Sequence, residues 1–270
     1  MKGVFDDIII EEEEGKNEPV IEEVHTQPGE FIDMPINHIA FIMDHSGSMF
    51  HIRDVARDSF NEQLAQIKKD SAGMENLVTV IEFDGSIKEP CIIEKNIHEV
   101  KDIKEYWIGG TTALYDAIAT AIGKIELVME DKGNHAALIT IITDGYENAS
   151  KEYTGDTGRV KLKSRIENLQ ATGKWTFVFM GADQNVMETA VAGMGIPKGN
   201  TLSYFSNDAG YKMSHRIYTS GLSGWSINRM GGVSGTNGTS GPSVTSGNSG
   251  AIFTSTTKFF EGDKIDDDKN

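Results

Sequence analysis

The feature that most constrains this chain is a continuous apolar run, Ile39 to Met43, that stops abruptly at Asp44. A second strongly apolar run, Leu138 to Thr143, also ends at a carboxylate, Asp144. Short apolar runs of this kind are typical of strands that are buried on both faces, as in a parallel sheet covered by helices on either side. We therefore expect an α/β domain built around such strands.

Amphipathic segments alternate with these runs. Apolar residues recur at helical spacing, which predicts helices over 52–69, 114–129 and 160–170 and a short helix over 186–194. Further strands are predicted at 77–83, 91–93, 175–180 and 201–205. Because helical crossovers between short strands imply parallel pairing, the predicted fold class is a doubly wound, mostly parallel, Rossmann-like α/β sheet. Helices flank both faces of this sheet, and flexible N- and C-terminal tails extend from it.

Oxygen donors begin where the first apolar run ends. Asp44, Ser46 and Ser48 alternate along the chain, and Gly47 allows the backbone between them to bend. A tightly curved loop can therefore direct one carboxylate and two hydroxyls at a single point. Mg²⁺ prefers oxygen ligands and retains several waters, so these three side chains are a plausible half-shell for this ion.

Two later stretches offer further oxygen donors. The loop from Gly109 to Ala113 carries Thr111 and Thr112 and leads into the second long helix. The stretch from Asp144 to Asn148 follows the second apolar run. Ligands of doubly wound sheets bind beyond the carboxyl ends of the strands, which is where Asp44 and Asp144 are expected. Asp84, at the end of the 77–83 strand, is either a further residue near the metal or a turn residue paired with Gly85, and the second interpretation is favoured.

In this combination and order, the three loops resemble the von Willebrand factor type A domain family, in a bacterial or phage form. That family has a metal-ion-dependent adhesion site made of Asp-x-Ser-Gly-Ser after the first strand, a threonine in a second loop and Thr-Asp-Gly after the fourth strand. The resemblance covers about Asn37 to Phe205. It implies the same doubly wound sheet, with an antiparallel edge strand that we place near Cys91.

The resemblance also implies a ligand set and a function. The metal ligands would be Asp44, Ser46, Ser48, Thr112 and Asp144, with Thr111 as the neighbour that a shifted loop would use, and His45 would be a loop residue without a ligand role. The ion would be Mg²⁺ or Mn²⁺ with an open coordination position. An Asp or Glu of a protein partner would complete the shell, so the expected function is metal-dependent protein binding without catalysis.

An enzymatic alternative is a Mg²⁺-dependent aspartyl phosphotransferase or phosphatase, similar to the haloacid dehalogenase superfamily, with Asp44 as the nucleophile. Such enzymes generally use a second aspartate two positions later for proton transfer. That position is Ser46, whose hydroxyl has no pKa suited to the role. The sequence also lacks a Gly-x-Ser-x-Gly elbow at Ser46 and a Gly-Lys-Ser/Thr phosphate loop. These observations favour the binding module.

Charge and cysteine content narrow the choice of partners and location. The net charge of -16 is concentrated in the ends of the chain, with 11 acidic and 2 basic residues in 1–37 and 5 acidic and 3 basic residues in 258–270. No clustered basic stripe is present, so nucleic acid is not an expected partner. Cys91 stands alone, no apolar run approaches the ~20 residues of a membrane span, and no secretion signal is recognisable. We therefore expect a cytoplasmic protein without membrane contact.

Composition predicts how the chain is divided. The segments are an acidic arm (1–36), the von Willebrand A-like domain (37–206), a helical extension (207–230), a linker rich in Gly, Ser and Thr (231–257) and an acidic tail (258–270). The linker is too poor in apolar residues to offset the entropy of ordering. The tail, which contains Phe259 and Phe260, is interpreted as solvated, with a docking peptide as the alternative.

Overall fold

The computed structural model describes residues 34–129, 133–182, 184–230 and 258–260. Six strands form one sheet in the order β3-β2-β1-β4-β5-β6, in which β3 is antiparallel to β2 and the other neighbours are parallel. The strands are β1 (Ile36–Asp44), β2 (Glu75–Phe83), β3 (Ile92–Asn96), β4 (His135–Thr143), β5 (Trp175–Gly181) and β6 (Thr201–Ser203). The predicted mostly parallel sheet, with an antiparallel edge strand beside Cys91, is confirmed.

Helices alternate with the strands in the order that the sequence predicts, and the last helix follows the final strand. They are α1 (Arg53–Lys69), α2 (Leu114–Met129), α3 (Gly155–Ala171), α4 (Gln184–Glu188) and α5 (Asp208–Arg229). A π-helical turn, Thr189–Gly193, continues α4. The third helix begins at Gly155, before the predicted start at Val160. Its first turn is polar and Val160 itself is 57% exposed, so apolar periodicity could not reveal the true start.

The sheet separates two apolar layers, because successive side chains of a strand point to opposite faces. Ala40 and Ile42 of β1 pack on one face with α2, α3 and the α4 region. Ile39, Phe41 and Met43 pack on the other face with α1 and α5. Strands that are covered on both sides have apolar residues at every position, which explains the continuous apolar runs in the sequence.

Helix α5 is part of the second layer. It contributes Tyr211, Tyr218, Leu222 and Trp225 to the apolar cluster that also contains the buried face of α1. Near its C-terminus the buried Arg229 donates from Nε to Asn37 Oδ1 over 2.9 Å and from an Nη to the Asn134 carbonyl over 2.6 Å. These bonds attach the end of α5 to the edge of the sheet opposite the carboxyl ends of the strands. The helix therefore continues past Gly221 and Gly224, although glycine disfavours the interior of a helix.

Near the C-terminus, Phe259 and Phe260 lie against the domain. Phe259 is only 6% exposed and belongs to the same apolar layer as α5. The interpretation of this region as solvated is therefore wrong for Phe259, because the domain offers an apolar groove that no local sequence pattern indicates. Most of the acidic arm, the linker and residues 261–270 lie outside the described residues, so the division of the chain into segments stays a prediction.

None of the described helices combines the length and apolar character needed to cross a bilayer.

Candidate metal centre

The predicted oxygen donors lie at the carboxyl ends of β1 and β4. These strands are neighbours, with Met43 beside Ile142, so that Asp44 and Thr143 come together at the same edge of the sheet. The chain runs from β1 outward to β2 and β3 and then returns to β4 on the other side of β1. The strand order thus reverses between β1 and β4, and the crevice at such a reversal is where open α/β sheets bind ligands.

Asp44 is fully buried, and both of its carboxylate oxygens accept hydrogen bonds. The backbone N–H of Ser46 donates to Oδ1 over 2.7 Å, and Thr143 Oγ1 donates to Oδ2 over 2.5 Å. The buried hydroxyl of Tyr106 donates to the Asp44 carbonyl. Burial raises the pKa of Asp44 above its ordinary value, while the hydrogen bonds from Thr143 and Ser46 act in the opposite direction. The carboxylate is therefore held in one orientation.

A chain of short contacts links Asp44's loop to Asp144. Ser46 Oγ lies 3.1 Å from Ser48 Oγ, and Ser48 Oγ donates to Asp144 Oδ1 over 2.5 Å. Burial raises the pKa of Asp144 to about 6, and the negative charge of Asp44 adds to this rise, while Ser48 and His51 lower the pKa. Two carboxylates thus share a partly desolvated space, an arrangement that is stabilised when a cation lies between them.

Gly145 marks a small space around which these donors converge. A methyl group placed on Gly145 would lie 3.3 Å from Thr112 Oγ1, 3.5 Å from Ser48 Oγ and 3.7 Å from Asp44 Oδ2. Three oxygens, two from the loop after β1 and one from the loop before α2, therefore surround one point beside the backbone of Gly145 in the third loop. A side chain at this position would occupy that point, so the absence of a side chain on Gly145 leaves the space open.

The structure distinguishes the two threonines of the second loop. Thr112 Oγ1 belongs to the set around Gly145, and its backbone is paired with the third loop, since Thr112 N donates to Asn148 Oδ1 over 2.9 Å and Asn148 N donates to the Thr112 carbonyl over 3.0 Å. The Thr111 hydroxyl instead lies against Gly85. The geometry thus brings Thr112 to the other candidate ligands and leaves Thr111 outside the set.

His45 and Asp84 lie around the centre without joining the oxygen set. His45 is a loop residue as predicted, but a fully buried one, with its ring stacked on Tyr106 at 3.8 Å and its Nδ1 donating to the Trp107 carbonyl over 2.8 Å. Although burial raises the pKa of Asp84, its hydrogen bonds with Lys88 and Ser86 leave that pKa below the ordinary value. Its carboxylate is bonded within the turn after β2, where Oδ1 accepts from Ser86 N over 3.0 Å and Oδ2 is paired with Lys88 at 3.1 Å.

Several supporting residues were not assigned from the sequence. Glu147 accepts from Tyr115 N over 2.9 Å and from Ser150 N over 2.7 Å, which joins the third loop to the start of α2. The only local signal for this role is an acidic residue near a helix N-terminus, a common pattern. For Tyr106, whose contact spans 62 positions of sequence, we find no local signal.

Among the described residues, no three His, Cys, Asp or Glu side chains are arranged to hold a metal ion. The candidate set contains only two carboxylates, Asp44 and Asp144, and is otherwise made of hydroxyls. Such a donor set suits a hard cation that keeps water, such as Mg²⁺, and does not suit a closed structural zinc site, which needs Cys or His ligands.

Known proteins share the fold of this chain at low sequence identity. No protein family profile and no curated protein matches the sequence. The pilus adhesin SpaC from Lactobacillus rhamnosus GG matches in two crystal structures, with TM-scores of 0.53 and 0.54 and 10% identity in each, over 71% of this chain and 31% and 30% of the adhesin chains. A mussel byssus protein, proximal thread matrix protein 1 with a zinc-occupied MIDAS motif, matches at a TM-score of 0.47 and 15% identity, over 68% of this chain and 47% of that chain.

This chain spans less than half the length of those structures. At 10% identity the similarity to the adhesin concerns the fold alone, and the TM-score of the mussel protein is too low to support an argument. The doubly wound α/β fold, of the von Willebrand A-like type, is nevertheless confirmed by the observed strand order.

Proposed function

We propose that this chain is a metal-dependent protein-binding module, in which a Mg²⁺ or Mn²⁺ ion is held by Asp44, Ser46, Ser48, Thr112 and Asp144. The observation that carries this proposal is the convergence of Asp44, Ser48 and Thr112 oxygens on the space beside Gly145. The five proposed ligands come from three loops, and none of them belongs to the apolar core. A cation in this space would relieve the repulsion between Asp44 and Asp144.

The donor set also supports the choice of partner. One of the two carboxylates would act through a water, so the divalent ion would keep a net positive charge that attracts an anion, and Mg²⁺ readily keeps an exchangeable water. An Asp or Glu side chain of a protein partner is the anion that we propose to replace that water. The ion would then supply a charge bridge between two proteins, while the loops of this chain would orient it.

The phosphotransferase alternative has less support. The position that a proton donor would occupy, two residues after Asp44, is Ser46, whose hydroxyl has no pKa suited to that role. Lys88 pairs with Asp84 and lies over the Trp107 ring, so it does not extend to the oxygen set. We therefore propose that the chain is not an enzyme. The cytoplasmic setting and the bacterial or phage origin are proposals that rest on the sequence.

Metal binding is tested by calorimetric titration of the full chain with MgCl₂ and MnCl₂. We expect one site, which is lost in Asp44→Asn and Asp144→Ala. A matched control is Asp84→Asn, which changes a neighbouring carboxylate outside the set and should leave the affinity unchanged. Circular dichroism checks that each variant is folded. Undiminished binding in folded Asp44→Asn would refute the site.

A second pair of variants tests the space without removing a ligand. Gly145→Ala places a methyl group among the three oxygens and should weaken metal binding, whereas Gly110→Ala, whose methyl group would meet nothing within 4 Å, should not. Equal affinities in the two variants would show that the ion does not lie beside Gly145.

The partner class is tested with a displayed random-peptide library that is selected on the full chain in MgCl₂ and eluted with EDTA. We expect the selected peptides to share an Asp or Glu, and the matching Asn or Gln peptides not to bind. Binders that share no acidic residue or that resist EDTA would contradict the proposal. Mg²⁺-dependent hydrolysis of p-nitrophenyl phosphate that is abolished by Asp44→Asn would favour the enzyme instead.

A further inference from the structure

A second binding feature lies on α5, away from the oxygen set. The Phe259 side chain is buried in a groove where its ring stacks on Tyr218, with 5.6 Å between centroids and 29° between planes. Phe260 packs edge-on against Phe259 at 5.0 Å and is partly buried. These two residues follow a segment of the chain, residues 231–257, whose composition predicts a linker.

The groove also binds the backbone of Phe259 and Phe260. Phe259 N donates to Asn200 Oδ1 over 3.0 Å, and Phe260 N donates to the Gly199 carbonyl over 3.0 Å. Asn200 is fully buried and is itself held by a bond from its Nδ2 to the Phe177 carbonyl of β5, over 3.0 Å. A rigid polar group therefore fixes the position of the backbone, while the aromatic surface receives the side chain.

Gly221 provides the room for Phe259. A methyl group on Gly221 would lie 2.5 Å from Phe259 Cε1, 2.7 Å from Cδ1 and 2.8 Å from the Phe259 carbonyl oxygen. Non-bonded contacts this short do not occur for a methyl carbon, so something would have to shift. One of the contacted atoms belongs to the backbone, which cannot simply turn away as a side chain can. Gly224, in the same helix, would meet nothing within 4 Å. The close approach at Gly221 is thus specific to this groove.

We propose that the groove formed by Tyr218, Gly221 and Asn200 is a peptide-recognition site whose ligand is the chain's own Phe259–Phe260 segment. The segment binds through one buried aromatic ring and two backbone N–H groups, which is the pattern of a short linear motif in its receptor. The linker makes this binding intramolecular, at an effective concentration on the order of millimolar for a flexible connection. Docking of the segment is therefore a reversible event that is independent of the metal centre.

The test uses the full chain and a fluorescent peptide of residues 255–264. A chain carrying Phe259→Ala leaves the groove free of its own ligand, and we expect it to bind the peptide saturably in an anisotropy titration. The wild-type chain should bind the peptide at least about tenfold more weakly, because its own segment competes at the effective concentration given above. EDTA should change neither result.

Matched glycine variants locate the binding. In the Phe259→Ala chain, adding Gly221→Ala should abolish binding of the peptide, and adding Gly224→Ala should preserve it. Circular dichroism establishes that both chains are folded. A peptide carrying Phe259→Ala should fail to compete with the labelled one, and this comparison needs no variant in α5.

Each contrary outcome overturns the proposal. Failure of the Phe259→Ala chain to bind the peptide, or equal effects of the two glycine variants, would show that the groove is not a recognition site. Equal affinities in wild-type and Phe259→Ala chains would show that the segment is not the resident ligand. Dimers that form in wild-type protein as the concentration rises, and that disappear with Phe259→Ala, would overturn the intramolecular binding, because the occupant of the groove would then be the segment of a second copy.

Discussion

At the scale of single residues, the Thr143 side chain has the clearest supporting role in the candidate metal centre. It is fully buried, donates to Asp44 Oδ2 over 2.5 Å and accepts from Gly145 N over 3.1 Å. The hydroxyl thus orients one proposed ligand and positions the glycine beside the proposed ion. Groups that orient metal ligands in this way contribute strongly to affinity although they do not contact the metal.

We predict that Thr143→Val weakens Mg²⁺ binding by roughly 10-fold or more, because the valine keeps the volume but leaves Asp44 Oδ2 without its donor. Thr143→Ser keeps the hydroxyl and should restore most of the affinity. Calorimetric titration of the two folded variants measures the difference. Equal affinities of the Val and Ser variants would exclude a positioning role for this hydroxyl.

His215 of α5 predicts a pH dependence of stability. Its side chain is buried between α1 and α5, where Gln63 Nε2 donates to Nδ1, and burial lowers the pKa of His215 to about 3. In the unfolded chain the imidazole has an ordinary pKa near 6.5. Below that pH the unfolded state takes up a proton that the folded state does not, so the free energy of unfolding falls as the pH is lowered.

We expect this loss to be about 1.4 kcal/mol per pH unit below about pH 6.5. His215→Gln keeps an acceptor for Gln63 and removes the titrating group, so its stability should fall less steeply between pH 6.5 and 5. His98→Gln, which changes an exposed histidine, is the control and should follow the wild type. Urea unfolding at several pH values gives the slopes; parallel slopes for wild type and His215→Gln would contradict the assignment.

At the scale of elements, the loop after β4 is attached to the first turn of α2. The Asp116 carboxylate accepts from Lys151 N over 2.7 Å, from Tyr153 N over 2.9 Å and from Glu152 N over 3.2 Å. Glu147 accepts from Tyr115 N at the start of the same helix. The helix N-terminus and the loop that begins at Asp144 therefore hold each other in place.

We predict that Asp116→Ala lowers the free energy of unfolding by about 1–3 kcal/mol, since several backbone N–H groups lose a charged acceptor. Amide hydrogen exchange at Lys151 to Tyr153 should become faster than in the wild type. Asp156→Ala in α3 is the control, because that exposed carboxylate is bonded to Arg159 of its own helix, and it should leave this exchange unchanged. Unchanged exchange in Asp116→Ala would show that the loop does not depend on this carboxylate.

At the scale of the whole molecule, the two proposed binding sites occupy different parts of one sheet structure. The metal centre lies at the carboxyl ends of β1 and β4, while the groove for Phe259 lies on α5 beside the turn that precedes β6. The first would connect the domain to a partner, and the second connects the domain to its own C-terminal segment. Since no residue of the groove belongs to the metal centre, we expect a mutation that disables one site to leave binding at the other unchanged.

The sequence by itself determined the sheet, its helices and most of the candidate metal centre. Buried parallel strands need unbroken apolar runs, and amphipathic helices need a 3.6-residue period, so both appear in local sequence. Asp44 and Asp144 each follow a buried strand directly, and parallel strands end at the same edge of a sheet, so local sequence also places these two carboxylates together. The alternating Ser46 and Ser48 belong to the same short loop, so their proximity has an equally local origin.

Only the tertiary structure decided which threonine joins the oxygen set, how Asp44 is oriented and where Phe259 lies. Thr111 and Thr112 are neighbours in a loop without periodicity, so sequence alone cannot say which hydroxyl turns inward. Thr143 meets Asp44 across 99 positions of sequence, and Phe259 meets Asn200 across 59. Such contacts form only when the packing of whole elements brings two distant segments of the chain together. No local sequence pattern therefore predicts them.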